Sequence, residues 1–255
     1  MICLNLNYRK QVKTILPKLF AKYPNPKAYL RGRLTTQQKI LKALSKKIKN
    51  NNISTLIDVG SHKGEYINSI KKKFDVQTIY GFEPNPEIFR ILKKKTDGKN
   101  INVLNYRISE KKGKVKFYKN LETSSSSINK LNKESKYYKK KYFLLNFFNS
   151  KEVETKIDID VIRLDEFFKS KKLGIIDLIK IDTEGFELKV LKSLGEKIKN
   201  VKIIHFEHHF DDMIVKNYNL TNIHNYLMKN RFEKFFKIKM KFRKSFEYLY
   251  INKNF

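Results

Sequence analysis

From about residue 53 onward, short apolar runs alternate with stretches whose apolar residues recur at helical spacing. That alternation predicts parallel strands joined by crossover helices. Ser54–Val59 reads as the first strand and Thr78–Phe82 as the second. Between them, Glu65–Phe74 reads as a helix with Ile67, Ile70 and Phe74 on its inner face. Asn85–Lys95 is a helix opened by Pro86, at a position where proline is favoured. Ile101–Ile108 is expected as a third strand. Lys114–Tyr118 and Ile157–Arg163 alternate apolar with polar, as half-buried antiparallel strands do. Ile175–Ile181 is nearly all apolar and suits a central parallel strand. A helix over Phe186–Lys199, a strand over Val201–Phe206 and a helix over Thr221–Asn230 follow. Phe232–Lys241 and Ser245–Asn252 close the chain as a hairpin.

Two segments depart from this rhythm. Residues 1–52 read as a basic helical arm, broken at Pro24-Asn25-Pro26. Within the arm, Thr35 and Thr36 suit the cap of a helix over Gln37–Lys49, with Ile40, Leu41, Leu44 and Ile48 on one face. Around 119–153 the pattern lapses into Thr123-Ser124-Ser125-Ser126-Ser127 and a lysine- and tyrosine-rich run over Lys136–Phe143. Such an insertion is either a surface loop or a lid over an acceptor site. The expected division is an arm over 1–52 and a catalytic domain over 53–255 that carries the insertion.

Composition narrows the partners. The formal net charge of +31 suits a polyanion, although residue usage in an AT-rich genome gives the same excess of lysine. The distribution adds a second signal: no Asp or Glu precedes Asp58, while the arm holds Arg9, Lys10, Lys13, Arg31 and Arg33 among other cations. An anionic membrane surface or a phosphorylated carrier fits that arm, and nucleic acid fits less well because nothing resembles a separate RNA-binding module. No apolar run approaches the roughly 20 residues that cross a bilayer. Met1–Tyr23 lacks the pattern of a signal peptide. Cys3 is the only cysteine, which excludes an internal disulfide and a cysteine metal site. A cytoplasmic location is expected, or a peripheral one at the inner membrane face.

The chemistry concentrates where strands end. Asp58-Val59-Gly60-Ser61-His62-Lys63-Gly64-Glu65 joins the first strand to its helix. Gly60 and Gly64 allow close backbone approach to a ligand, and the helix opening at Glu65 offers free N–H groups. Asp58 suits the cationic amino acid end of a cofactor. Glu83 ends the second strand roughly twenty residues on, the spacing of a ribose-binding acid in nucleotide-binding α/β folds. The Asp-x-Gly-x-x-x-Gly spacing, unlike that of dinucleotide binders, points to S-adenosylmethionine. Asp182 and Glu184 follow the most apolar strand, at the sheet edge where ligands bind. Each suits a substrate hydroxyl, its proton or the cofactor's methionine part, and Asp182 or Thr183 also suits a helix cap. His205-Phe206-Glu207-His208-His209 ends the next strand and offers further general bases, with Glu207 or a histidine preferred. A metal is not expected, because adjacent His208 and His209 point apart on a strand and no helical His-x-x-x-His is present.

These strings together resemble the FkbM family of S-adenosylmethionine-dependent methyltransferases. The resemblance runs from about Leu56 to His209. It rests on Asp58–Gly64, on Gly81-Phe82-Glu83-Pro84-Asn85-Pro86, on Arg107-Ile108-Ser109, on Ile162–Phe167 and above all on Ile176–Glu187. The family usually has Gly-Ala-Asn where this chain has Gly60-Ser61-His62. The resemblance implies a Rossmann-like, mostly parallel seven-stranded sheet with an antiparallel last strand. It implies that Gly60, Ser61, His62, Gly64, Glu65, Glu83, Pro84 and Asn85 cradle the cofactor, with Ile108 and Ser109 near the adenine. Asp58 and Asp182 would contact its methionine end, and Asp182, Glu184, Glu207 and His208 would supply catalysis. Transfer to a hydroxyl of a sugar, glycan or related metabolite is implied, leaving S-adenosylhomocysteine. An RNA methyltransferase and a non-catalytic polyanion-binding protein of the same fold are the competing readings.

Overall fold

The computed structural model describes residues 35–96, 98–119, 155–210, 216–240 and 244–255. Most of the basic arm and of the 119–153 insertion therefore lies outside the described residues, as do Asp211 and Asp212. The chain separates into two compact units, Met1–Lys39 and Ile40–Phe255. All that follows concerns the larger unit.

Its centre is a seven-stranded sheet. In chain order the strands are β1 (Asn52–Val59), β2 (Asp75–Phe82), β3 (Ile101–Leu104), β7 (Ile176–Ile181), β8 (Val201–His209), β9 (Phe232–Lys239) and β10 (Ser245–Asn252). Their spatial order is β3-β2-β1-β7-β8-β10-β9. The pairs from β3 through β8 are parallel, and β10 runs antiparallel between β8 and β9. A smaller sheet holds β4 (Arg107–Ile108), β5 (Gly113–Lys119) and β6 (Thr155–Ile162), with β5 antiparallel to β6. The expected single strand over Ile101–Ile108 is thus two. Asn105 ends the first part by donating its side-chain amide to the carbonyls of Glu83 and Pro84, and Arg107–Ile108 pairs with Val161–Ile162 instead.

Helices cover both faces. They are α1 (Thr36–Ser45), α2 (Glu65–Lys71), α3 (Pro86–Lys95), α4 (Leu164–Ser170), α5 (Glu187–Lys192) and α6 (Leu220–Lys229). The helix expected over Phe186–Lys199 breaks after Lys192 and continues as a 3-10 turn from Gly195 to Asn200. Alternation along each strand sends neighbours to opposite cores. Ile57, Ile179, Ile204 and Tyr250 pack with Phe168 of α4, Leu191 of α5 and Leu227 of α6. Their neighbours Leu56, Leu178, Ile203 and Leu249 pack with Leu44 of α1, Ile67 of α2 and Leu92 of α3. This is the two-sided Rossmann-like arrangement. It leaves the carboxyl ends of the parallel strands as the one edge where several loops converge.

The tightest convergence lies between β1 and β7. Gly60 has φ of 87°, and a Cβ added there would sit 1.9 Å from the Asp182 carbonyl oxygen. The Asp182 N–H donates to the Val59 carbonyl at 2.9 Å, which locks the two strand ends together. Gly60→Ala should therefore lower stability by at least about 2 kcal/mol through backbone strain and overlap. Urea unfolding checks this, and a wild-type midpoint in the variant would contradict it.

Candidate active site

The loop after β1 is built on the end of β2. The N–H groups of Gly60 and Ser61 both donate to the Phe82 carbonyl, and Gly64 N–H donates to the Ser61 carbonyl. Ser61 is buried and its hydroxyl donates to the Asp58 carbonyl at 2.9 Å, folding the loop back on its own strand. His62 takes a left-handed backbone, φ 48°, that points its N–H at Glu83 Oε2, 3.0 Å away. Its ring nitrogen Nδ1 lies 3.3 Å from the Glu65 carboxylate. The Ser61 hydroxyl thus anchors the loop to β1, and the backbone N–H of His62 anchors it to Glu83.

Glu83 is held from both sides. Its Oε1 accepts from the Asn85 N–H at 2.8 Å while Oε2 takes that of His62. Asn85 also caps α3 by accepting from Glu87 and Ile88. Burial pushes the Glu83 carboxyl up to about 7, and the two N–H groups oppose it. A carboxylate has about four lone-pair sites, so two remain for hydroxyl donors. Pro84 lies beside it, tied through its carbonyl to Asn105. Ile108 is buried in the core with Phe82, and Ser109 N–H donates to the Ile162 carbonyl at 3.1 Å.

On the α1–α3 face the apolar core gives way to charge toward the strand ends. Asp58, Lys180 and His205 are in register on β1, β7 and β8, and Glu207 is opposite Glu247 of β10. Lys180 Nζ lies 3.3 Å from Asp182 and 3.7 Å from Glu247. Burial pulls this lysine down, but Asp182, Glu247 and Glu207 outweigh it and raise it above its ordinary range. Glu247 also meets His205 Nε2 at 2.7 Å, and His205 Nδ1 meets the Tyr66 hydroxyl of α2 at 3.0 Å. Burial raises Glu247, yet Lys180 and His205 bring it down to about 2. Asp58 is 1% exposed and its Oδ2 has no hydrogen-bond partner among the described residues. Burial pushes it up to about 7 against the pull of Lys180.

The far end of this layer holds a second group. His209 Nε2 lies 3.2 Å from Glu184 and 3.4 Å from Glu207. Glu184, at φ 48°, has a strained backbone of the kind that clusters at functional sites. Its side chain is 21% exposed, against 5% for His209 and 4% for Glu207. Burial, with Asp182 and Glu247 nearby, pushes Glu207 up to about 7. His208, expected in this group, is not in it. Alternation turns its ring to the other face, where Nδ1 lies 3.7 Å from Glu187 and Tyr218 donates to the same carboxylate. Glu187 is buried, but His208, Tyr218 and the Gly185 N–H hold it below the usual carboxylate range.

Sequence reasoning left the histidine open among His205, His208 and His209, and it did not single out Lys180, Tyr66 or Glu247. The signal for His209 was its parity with Glu207 on one strand. For Lys180 it was a cation inside a mostly apolar run. Among the described residues no group of three or more His, Cys, Asp and Glu is arranged to hold a metal ion.

The profile of the Methyltransferase FkbM domain matches residues 58–235. The chain belongs to the FkbM methyltransferase family. Over 178 residues it is 27% identical to the hexuronic acid methyltransferase AglP of Haloferax volcanii. That alignment covers 69% of this chain and 64% of AglP, so the match spans just under two thirds of the relative's length. The crystal structure of a methyltransferase FkbM from Methylobacillus flagellatus superposes with a TM-score of 0.54 at 16% identity, covering 91% of this chain and 52% of that one. The cofactor of an FkbM methyltransferase is S-adenosylmethionine. The residues present fit it: Asp58 offers an unpartnered buried carboxylate oxygen for an ammonium group, and Glu83 keeps two acceptor sites for ribose hydroxyls.

The raised Asp58 gives a testable stability signature. Its folded value near 7 lies above the ordinary 3.8 of an aspartate, so folding disfavours the ionised form. Stability is therefore lost as pH climbs from about 4 to about 7. Asp58→Asn should raise the urea midpoint of the ligand-free protein, most at pH 8, with the gain shrinking toward pH 4. A gain independent of pH would contradict this assignment.

Proposed function

We propose that the protein transfers the methyl group of S-adenosylmethionine to a hydroxyl oxygen of a sugar or a related small-molecule acceptor. The observation that carries this reading is that the family match begins at Asp58 and spans Glu83, Asp182, Glu184 and His209 at one sheet edge. The action of AglP on hexuronic acid supports a sugar acceptor.

The donor supplies an activated methyl on a sulfonium. The chain's own residues then have three tasks. Asp58 and the Gly60–Gly64 loop hold the amino acid end, while Glu83 takes the ribose hydroxyls. Asp182, paired with Lys180, stays beside the reacting end and aligns it with the acceptor oxygen, where proximity contributes most. Glu184 removes the hydroxyl proton. It is the most exposed member of its group, so it is the one an acceptor reaches. His209 and Glu207 stand behind it in contact and share the proton inward. His208 takes no part, since its partners are Glu187 and Tyr218.

Incubation with S-adenosylmethionine and a panel of hexoses and hexuronic acids tests the reading, with methylated sugar as the product sought. Glu184→Gln should lower kcat on order of 10²- to 10³-fold. Its Kd for S-adenosylhomocysteine should stay within about twofold of wild type, since the amide keeps the shape of a group placed on acceptor chemistry. A wild-type kcat in that variant would remove Glu184 as the base. Glu83→Ala should do the reverse, weakening S-adenosylhomocysteine by about tenfold or more through two lost hydroxyl contacts.

A further inference from the structure

Arg107 is a buried cation that neither the fold nor the chemistry above employs. It is 8% exposed, and its guanidinium carbon lies 3.7 Å from the centre of the Phe186 ring. Lys189 Nζ lies 4.8 Å from the centre of that ring. Among the described residues neither cation has a carboxylate within ion-pair distance. Burial pulls Arg107 down to about 10 and no acid opposes it, so it remains charged at neutral pH. A guanidinium carries five N–H donors in a planar fork, and among the described residues its recorded side-chain partner is the Phe186 ring.

Its position in the chain brackets the site. Two residues before it, Asn105 is bonded to the carbonyls of Glu83 and Pro84, at the ribose end. Phe186, under it, follows Glu184 by two residues, at the reacting end. Arg107 therefore lies between the segment tied to Glu83 through Asn105 and the loop that carries Glu184 and Phe186. A planar fork beside an aromatic wall matches the two coplanar oxygens of a carboxylate, or two oxygens of a phosphate.

We propose that Arg107, seated on Phe186 and seconded by Lys189, anchors an anionic oxygen group, carboxylate or phosphate, on the methyl acceptor. The acceptor class is then an acidic sugar, and neutral hexoses are poor substrates. This rests on the methyl-transfer reading.

Saturation-transfer NMR titrations of the full chain with glucuronate, glucose 1-phosphate and glucose test it, each with and without S-adenosylhomocysteine. At least one acidic sugar should bind with a Kd at least about tenfold below that of glucose, and the stronger of the two names the anion. Arg107→Gln should abolish the preference, and Arg107→Lys, which keeps charge without the fork, should retain part of it. In Arg107→Gln the Kd for S-adenosylhomocysteine should stay within about twofold, with an unchanged far-ultraviolet circular dichroism spectrum. Equal binding of all three sugars by the wild type, or a preference that survives Arg107→Gln, would overturn the proposal. So would a tenfold loss of S-adenosylhomocysteine affinity in that variant, which assigns the cation to the cofactor's own carboxylate. Failure of the wild type to bind S-adenosylhomocysteine sinks methyl transfer instead, and the titrations without it still judge the anion site.

Discussion

One buried lysine allows the acidic edge of this sheet to exist. Lys180 is the penultimate residue of β7, an otherwise apolar strand but for Asp177, and is 3% exposed. Its charge faces Asp182 and Glu247 directly and acts on Asp58 and Glu207 as well. Taking a carboxylate out of water is expensive, and an uncompensated group neutralises rather than stay charged. Glu247, which also has His205, is held at about 2, whereas Asp58 and Glu207 drift up to about 7. A site with more acids than cations is poised to accept a positively charged ligand. A sulfonium cofactor with an ammonium group is such a ligand.

The same layer explains why the two ends of the site behave differently. At the cofactor end, Glu83 is fixed by two backbone N–H groups that exist because His62 adopts a left-handed conformation and Asn85 turns into α3. Position there is set by backbone. At the end proposed for the acceptor, His209 of β8 meets Glu184 of the loop after β7 and Glu207 of its own strand through side chains. Proton transfer needs such contact, and it tolerates the mobility that substrate entry requires. On the opposite face His208 and Glu187 are used for structure, bracing α5 against Tyr218.

Much of this was legible in the chain. Period-two alternation and apolar runs place β1, β2, β7, β8 and the closing hairpin within a few residues, because burial on both faces leaves strands little choice of composition. The glycine loop, Glu83 and Asp182–Glu184 were legible as strand-end positions. Three features were not. The break at Asn105 depends on an amide reaching the carbonyls of Glu83 and Pro84, which no local pattern encodes. The shortening of α5 coincides with Gly195 at φ 49°, packed on Asp165. The exchange of His208 for His209 follows from knowing which face of β8 meets Glu184, a question of tertiary register that parity alone leaves open.

On the proposed reading, this edge binds S-adenosylmethionine through carboxylates that must ionise to do so. Titration calorimetry of S-adenosylhomocysteine near pH 6.5, in two buffers of different ionisation enthalpy, tests it most directly. Asp58 and Glu83, both near 7 in the free protein, should release protons on binding, so the observed heat should differ between buffers and affinity should rise from pH 6 to pH 8. Saturable binding with that proton release is the predicted result. Absence of binding at millimolar ligand, or binding with no proton exchange and no pH dependence, would contradict the account.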